Sequence, residues 1–241
     1  PSRIITPTVT WEALPADFVL PDGPVENIQQ PTLAAALTDA LGAADLIQPT
    51  MLIGSNFGLV ATVNKKVVVK APDWLYVPQV HPIAEGTIRR SYTPNLEGAP
   101  VAIVMEFLSE EDNGELSLRA TPPYGKLHFY EQILQVPTYV IYDPYEPSLE
   151  VRGLQNGRYV TQTPDAEERF HVPALDLWLG IWSGERLGQT TNWPRWWDNA
   201  GNLLLWSAEQ AEQERQWANQ EHKRAEALAA KLRSLGVDPD Q

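Results

Sequence analysis

The 241-residue sequence contains no cysteine, so disulfides, thiolate metal sites and cysteine nucleophiles are all excluded. Its four histidines, at positions 81, 128, 171 and 222, are too scattered for a zinc motif. It has no Gly-x-Ser-x-Gly elbow and no Gly-x4-Gly-Lys-Ser/Thr phosphate loop, which argues against serine hydrolase and nucleotide-binding readings. No apolar run approaches the roughly 18 residues of a membrane span, and no charged-then-apolar leader stands at its start. A cytoplasmic protein without a membrane partner is the expectation. Positive charge is scarce too. Eighteen Lys and Arg face 31 Asp and Glu, for a formal charge of −13. Residues 207–241 hold seven acids and five bases, which leaves −11 on the rest. A non-specific DNA binder needs broad cationic surface. A nucleic acid would therefore have to use a local patch such as Lys65, Lys66, Lys70, Arg89 and Arg90.

What is present falls into three stretches. Residues 1–30 are proline-rich and aperiodic, and predict an extended segment anchored by Trp11, Phe18 and Leu20. From Pro31 to Leu46, Leu33, Ala34, Leu37, Leu41 and Ala44 recur at three and four residues, the spacing of a helix with one buried face. Pro31 suits its first turn. Leu59–Val63 and Lys66–Lys70 flank Asn64-Lys65, and Leu149–Leu154 and Arg158–Gln162 flank Asn156-Gly157; both pairs read as hairpins. Residues 77–100 read as a long connection, and 175–182 as a further strand. Trp193, Trp196, Trp197 and Trp206 surround an Asn199-Ala-Gly-Asn202 turn and are expected to close the core. Residues 207–235 have no Gly or Pro and are dense in helix formers. They predict a charged helical tail, either solvated or acting as a weak coiled-coil partner helix.

The chemistry centres on residues 101–143, with one aspartate upstream. Val101-Ala-Ile-Val-Met-Glu106-Phe-Leu108 is an apolar run enclosing a carboxylate, which is expensive to bury without a partner. Asp73 follows Pro72 and leads into Trp74-Leu-Tyr-Val77. Lys126–Leu134 reads as a helix, and Val136–Asp143 as a strand stopped by Pro144. Hydrolysis of a phosphodiester needs an activated water and stabilisation of charge on phosphorus. A hard divalent ion held by oxygen ligands can supply both. Asp73 and Glu106 on adjacent strands, with the Phe107 backbone carbonyl beside them, could hold such an ion, and a nearby lysine could neutralise developing charge; the residues alone equally allow a turn acid after proline and a strand-end carboxylate paired with arginine.

Five segments in order carry a resemblance. They are Lys70-Ala-Pro-Asp73-Trp-Leu-Tyr-Val, Arg90-Ser-Tyr, Val104-Met-Glu106-Phe-Leu-Ser109, Lys126-x3-Tyr130 and Val136-Pro-Thr-Tyr-Val-Ile-Tyr-Asp143-Pro. Together they resemble the Uma-two family of restriction endonucleases, placed in the PD-(D/E)XK nuclease superfamily, over roughly residues 31–184. The resemblance implies an α/β fold, a restriction-endonuclease-like mixed sheet flanked by helices over residues 31–206, followed by the tail at 207–241. It also implies Asp73 and Glu106 as ligands of one Mg²⁺ or Mn²⁺ ion. Leu108 stands where the superfamily signature places lysine, and Lys126 looks like its migrated substitute, completing a catalytic set of Asp73, Glu106 and Lys126. Gln29 and Gln30, with Glu26 before them, stand where many nucleases carry a helix acid, which weakens the case for a second metal. Tyr130 is one helical turn from Lys126 and could share its face, with core packing the favoured role. His128 reads as structural and Asp143 as a turn acid.

Two functions follow. One is a Mg²⁺-dependent endonuclease acting on nucleic acid, with DNA as the expected substrate. The other is a catalytically weak nuclease fold that binds or assembles through its tail, as a homo-oligomer or with a partner protein.

Overall fold

The computed structural model describes residues 8–13, 15, 18, 29–108 and 118–235. Leu20, Glu26 and Ser109 lie outside the described residues. β1 (Val9–Thr10) is followed by α1 (Gln29–Ala43), β2 (Leu52–Gly54), β3 (Gly58–Val63), β4 (Lys66–Lys70) and β5 (Trp74–Val77). Next come β6 (Ser91–Tyr92), β7 (Ile103–Phe107) and the short helix α2 (Lys126–His128), which runs on as a π-helical segment, Phe129–Ile133. The chain continues through β8 (Thr138–Asp143), β9 (Ser148–Gln155), β10 (Arg158–Thr161) and β11 (Phe170–Val172). It ends with β12 (Leu177–Arg186), β13 (Gln189–Trp197) and α3 (Ser207–Ser234).

A six-stranded mixed sheet in the order β10-β9-β8-β7-β5-β2 forms the centre. Only β7 and β8 run parallel within it, and the connection between them carries α2, as parallel neighbours require a crossover. β5, β7 and all but the last residue of β8 are buried along their length, which is why they read as continuous apolar runs. Alternation then sorts their side chains. Trp74, Tyr76, Ile103, Met105 and Phe107 enter a core shared with α1 and the tryptophans of β13. Leu75, Val104, Tyr139 and Ile141 enter a second core with β3 and the π-helical segment.

Local chemistry accounts for the flanking elements. The expected apolar face of α1 is its buried face, with Leu33, Ala34, Leu37 and Leu41 each no more than 2% exposed. The helix begins at Gln29, two residues before Pro31. The β3–β4 turn places Asn64 and Lys65 at φ of 50° and 64°, and the β9–β10 turn places Asn156 and Gly157 at 51° and 75°. Two positive φ values are what a two-residue hairpin turn of the twist-compatible kind demands. A third such turn, Leu187-Gly188, joins β12 to β13. Its polar arms hid this hairpin, so the strand expected at 175–182 actually runs to Arg186. Within residues 77–100, β6 adds a short parallel strand beside β3.

The tryptophan cluster closes the core around a cation. The Arg195 guanidinium lies 3.5 Å from the Trp206 ring centroid and 4.8 Å from that of Trp182. It pairs with Glu209 at 2.6 Å and donates to the Leu204 carbonyl at 2.8 Å. Glu209 belongs to the first turn of α3, and Gln210 Nε2 donates to the Ala43 carbonyl at 2.9 Å. The helix start is therefore fastened to the body, whereas no described side chain of α3 is buried. No described helix is long and apolar enough to cross a membrane.

Candidate active site

The site is built where β5 ends and β7 runs on. Trp74 pairs with Met105, and Leu75 with Val104, so one further antiparallel step sets Asp73 opposite Glu106. Both then share the face of Leu75 and Val104, toward the second core. At this step β5 has turned away, and the Phe107 amide and carbonyl have lost their strand partner. Side chains take its place. Phe107 N–H donates to Asp73 Oδ2 at 2.6 Å, and Gln30 Nε2 donates to the Phe107 carbonyl at 2.7 Å.

Two acids directly across an antiparallel pair repel, and Glu106 is fully buried. Its charge is met from the β7–β8 crossover. Lys126 Nζ lies 2.9 Å from Glu106 Oε2, and the Tyr130 hydroxyl donates to Oε1 at 2.7 Å. Lys126 and Tyr130 reach the same carboxylate because four residues make about one turn, even where α2 widens into the π-helical segment. Such π-segments often occur at functional sites. Burial, and then the nearby Glu106 charge, push the Tyr130 phenol well above its usual pKa, so it stays a proton donor to that carboxylate at neutral pH. Tyr130 combines both expected roles: its ring is in the core and its hydroxyl shares the carboxylate that Lys126 meets.

Lys70, at the end of β4, belongs to the basic patch expected from the sequence, outside the expected catalytic set. Burial lowers its pKa, repulsion from Lys126 lowers it further, and the Glu106 charge acts in the opposite direction. Lys70 is therefore within electrostatic reach of both. The signal was its place three residues before Asp73 in the quoted run. Other expectations fall outside the cluster. Asp143 accepts the Tyr145 and Glu146 amides at 2.8 and 3.1 Å, an Asx turn that stops β8. His128 stacks on Tyr124 at 5.8 Å between ring centroids. Of the expected basic patch, Arg89 is spent on Glu97 at 2.5 Å, and Arg90 donates to the Phe18 carbonyl at 3.3 Å.

Among the described residues no group of three or more His, Asp or Glu side chains gathers as a metal cage. The donor set of Asp73, Glu106 and the Phe107 carbonyl nevertheless fits a hard cation, because all three are oxygens. A carbonyl also retains a second lone pair when Gln30 occupies the first.

A mixed sheet flanked by helices, with facing acids at the β5–β7 step and a lysine from the crossover, defines a restriction-endonuclease-like protein. Residues 19–182 match the Uma2 family, described as "Putative restriction endonuclease"; the match spans well over half of the chain, which belongs to that family. No curated protein matches the chain.

Proposed function

We propose that this protein is a Mg²⁺- or Mn²⁺-dependent endonuclease that hydrolyses phosphodiester bonds of DNA in the cytoplasm. The observation that carries this reading is the juxtaposition of Asp73 with Glu106 across β5 and β7, with the Lys126 ammonium 2.9 Å from Glu106. Asp73, Glu106 and the Phe107 carbonyl would hold one ion. When bound, it supplies Lewis-acid stabilisation and an activated water. Lys126 places a positive charge where the phosphate gains negative charge in the transition state. Tyr130 fixes the orientation of the Glu106 carboxylate, and the Phe107 amide fixes Asp73. Gln30 fills the place where a helix acid would recruit a second ion.

The second reading, a binding or assembly module, is favoured by α3. Trp217, Leu228 and Leu232 stand on it 66%, 55% and 38% exposed, as a helix awaiting a second copy or another protein would present them. Incubation of the purified chain with assorted nucleic acids, with and without Mg²⁺ or Mn²⁺, decides between them. Metal-dependent cleavage supports the nuclease. A wild type that cuts nothing with either ion, but associates through α3, supports the module.

A further inference from the structure

Beside the acid–lysine cluster, a cleft of about 590 Å³ runs along β4. Among the described residues β4 pairs only with β3 and is an edge of its sheet. Of the described residues, all of β4 from Lys66 to Lys70 lines the cleft, Val67 and Val69 included, with Pro123 and Tyr124 from the segment leading into α2 and Phe18 from the N-terminal segment. The strand period of two puts Lys66, Val68 and Lys70 on one face. At about 3.3 Å per residue, the two lysines are spaced roughly 13 Å along the strand. They can meet different phosphates of one extended backbone. Tyr124 stands two residues before Lys126 and Lys70 three before Asp73, and Lys70 acts electrostatically on Lys126 and Glu106, so one end of the cleft is near the acids.

The walls decide which form of nucleic acid fits. Valine, proline and aromatic surface is covered well only by the faces of bases, and a duplex hides those faces in its stack. A cationic track beside apolar and aromatic walls is the arrangement that holds single strands. The charge balance points the same way, since a duplex requires a broad cationic face and the body outside residues 207–241 carries −11. The acids themselves are recessed: Glu106 is fully buried and the Lys126 side chain is 18% exposed.

We propose that the β4 cleft seats unpaired nucleotides, making single-stranded nucleic acid the substrate class, with Lys66 and Lys70 on backbone phosphates and a base against Pro123 and Tyr124. This deepens the nuclease reading and rests on it for the direction of the strand toward Glu106.

The test is fluorescence anisotropy of the full chain with a labelled oligothymidylate and with a blunt duplex of equal length, in EDTA, over a range of salt. The single strand should bind at least tenfold tighter. Lys66→Ala replaces an exposed residue and should leave the fold intact. It should weaken single-strand binding severalfold and flatten the salt slope by about 0.7. Equal or tighter duplex binding, no binding to either nucleic acid, or an unchanged affinity and slope in Lys66→Ala would each overturn the proposal. Parallel cleavage with Mn²⁺ separates the two ideas. Single-strand preference without cleavage leaves the cleft assignment standing and sinks the nuclease, whereas cleavage of a preferred duplex does the reverse.

Discussion

Lys126 Nζ stands 2.9 Å from Glu106 Oε2, across twenty residues of sequence and from a different layer of the fold. The contact gives the buried carboxylate its counter-charge, and it places the lysine where a second carboxylate, Asp73, faces the same site. Lys126→Ala should therefore have two effects. Loss of a charge that stabilises the transition state should lower single-turnover cleavage about a hundredfold or more. Loss of a cation beside a ligand oxygen should tighten Mn²⁺ binding. Calorimetry and single-turnover kinetics on the same preparation check both. Wild-type cleavage by Lys126→Ala, with loss of activity in Lys70→Ala, would transfer the role to Lys70.

Asp73 is expected to be a ligand of the ion. Asp73→Ala should reduce Mn²⁺ affinity at least tenfold by calorimetric titration, since two oxygens cannot be replaced by a methyl group. Asp73→Asn retains an acceptor for the Phe107 amide, so it should stay as stable as wild type while still losing affinity. Undiminished Mn²⁺ binding by both variants would remove Asp73 from the site.

Tyr130→Phe keeps the buried ring and removes one hydroxyl. A hydrogen bond to a buried charged group contributes about 1.5–3 kcal/mol. Denaturant unfolding without metal should show a loss of that order. A loss below about 0.5 kcal/mol would mean that the hydroxyl does not carry Glu106's charge.

Truncation distinguishes the fastened start of α3 from its free length. A chain ending after Gln210 keeps the Arg195–Glu209 pair and should unfold at nearly the wild-type temperature. A chain ending after Trp206 leaves the fully buried Arg195 guanidinium without its carboxylate, a defect costing about 3–5 kcal/mol. Calorimetric scans of the two truncations should differ by many degrees. Identical transitions would show that the pair contributes nothing.

Acid sensitivity should come in part from Glu131. Burial alone would raise its pKa, but the Tyr159 amide, Gln132 and Arg158 together hold it below the ordinary 4.5. A carboxylate with a depressed folded pKa adds stability that is complete above the unfolded value and is lost as pH falls through the folded one. Wild type should thus lose stability below about pH 4.5 more steeply than Glu131→Gln, by urea unfolding at pH 7 and at about pH 3.5. Parallel pH profiles would argue against this role.

Much of this protein is local and therefore legible in its sequence. The three- and four-residue recurrence in α1, the Asn64-Lys65 and Asn156-Gly157 turns, and the apolar runs of β7 and β8 each follow from backbone sterics and burial period within a few residues. The acids Asp73 and Glu106 were visible as well, because a carboxylate in or beside an apolar run requires a partner. The partners themselves were decided only by tertiary structure. Gln30 on the Phe107 carbonyl, Tyr130 on Glu106 and Glu209 on Arg195 are contacts between different elements, 77, 24 and 14 residues apart, and their energies depend on distance and burial. No spacing along the chain encodes either quantity. The Leu187-Gly188 turn failed for a related reason, since a polar hairpin extending beyond the core leaves no burial pattern to read. Lys70 shows the same division. Its charge and its place before Asp73 are in the sequence, but its electrostatic reach to Glu106 exists only once β4 is laid over the central sheet.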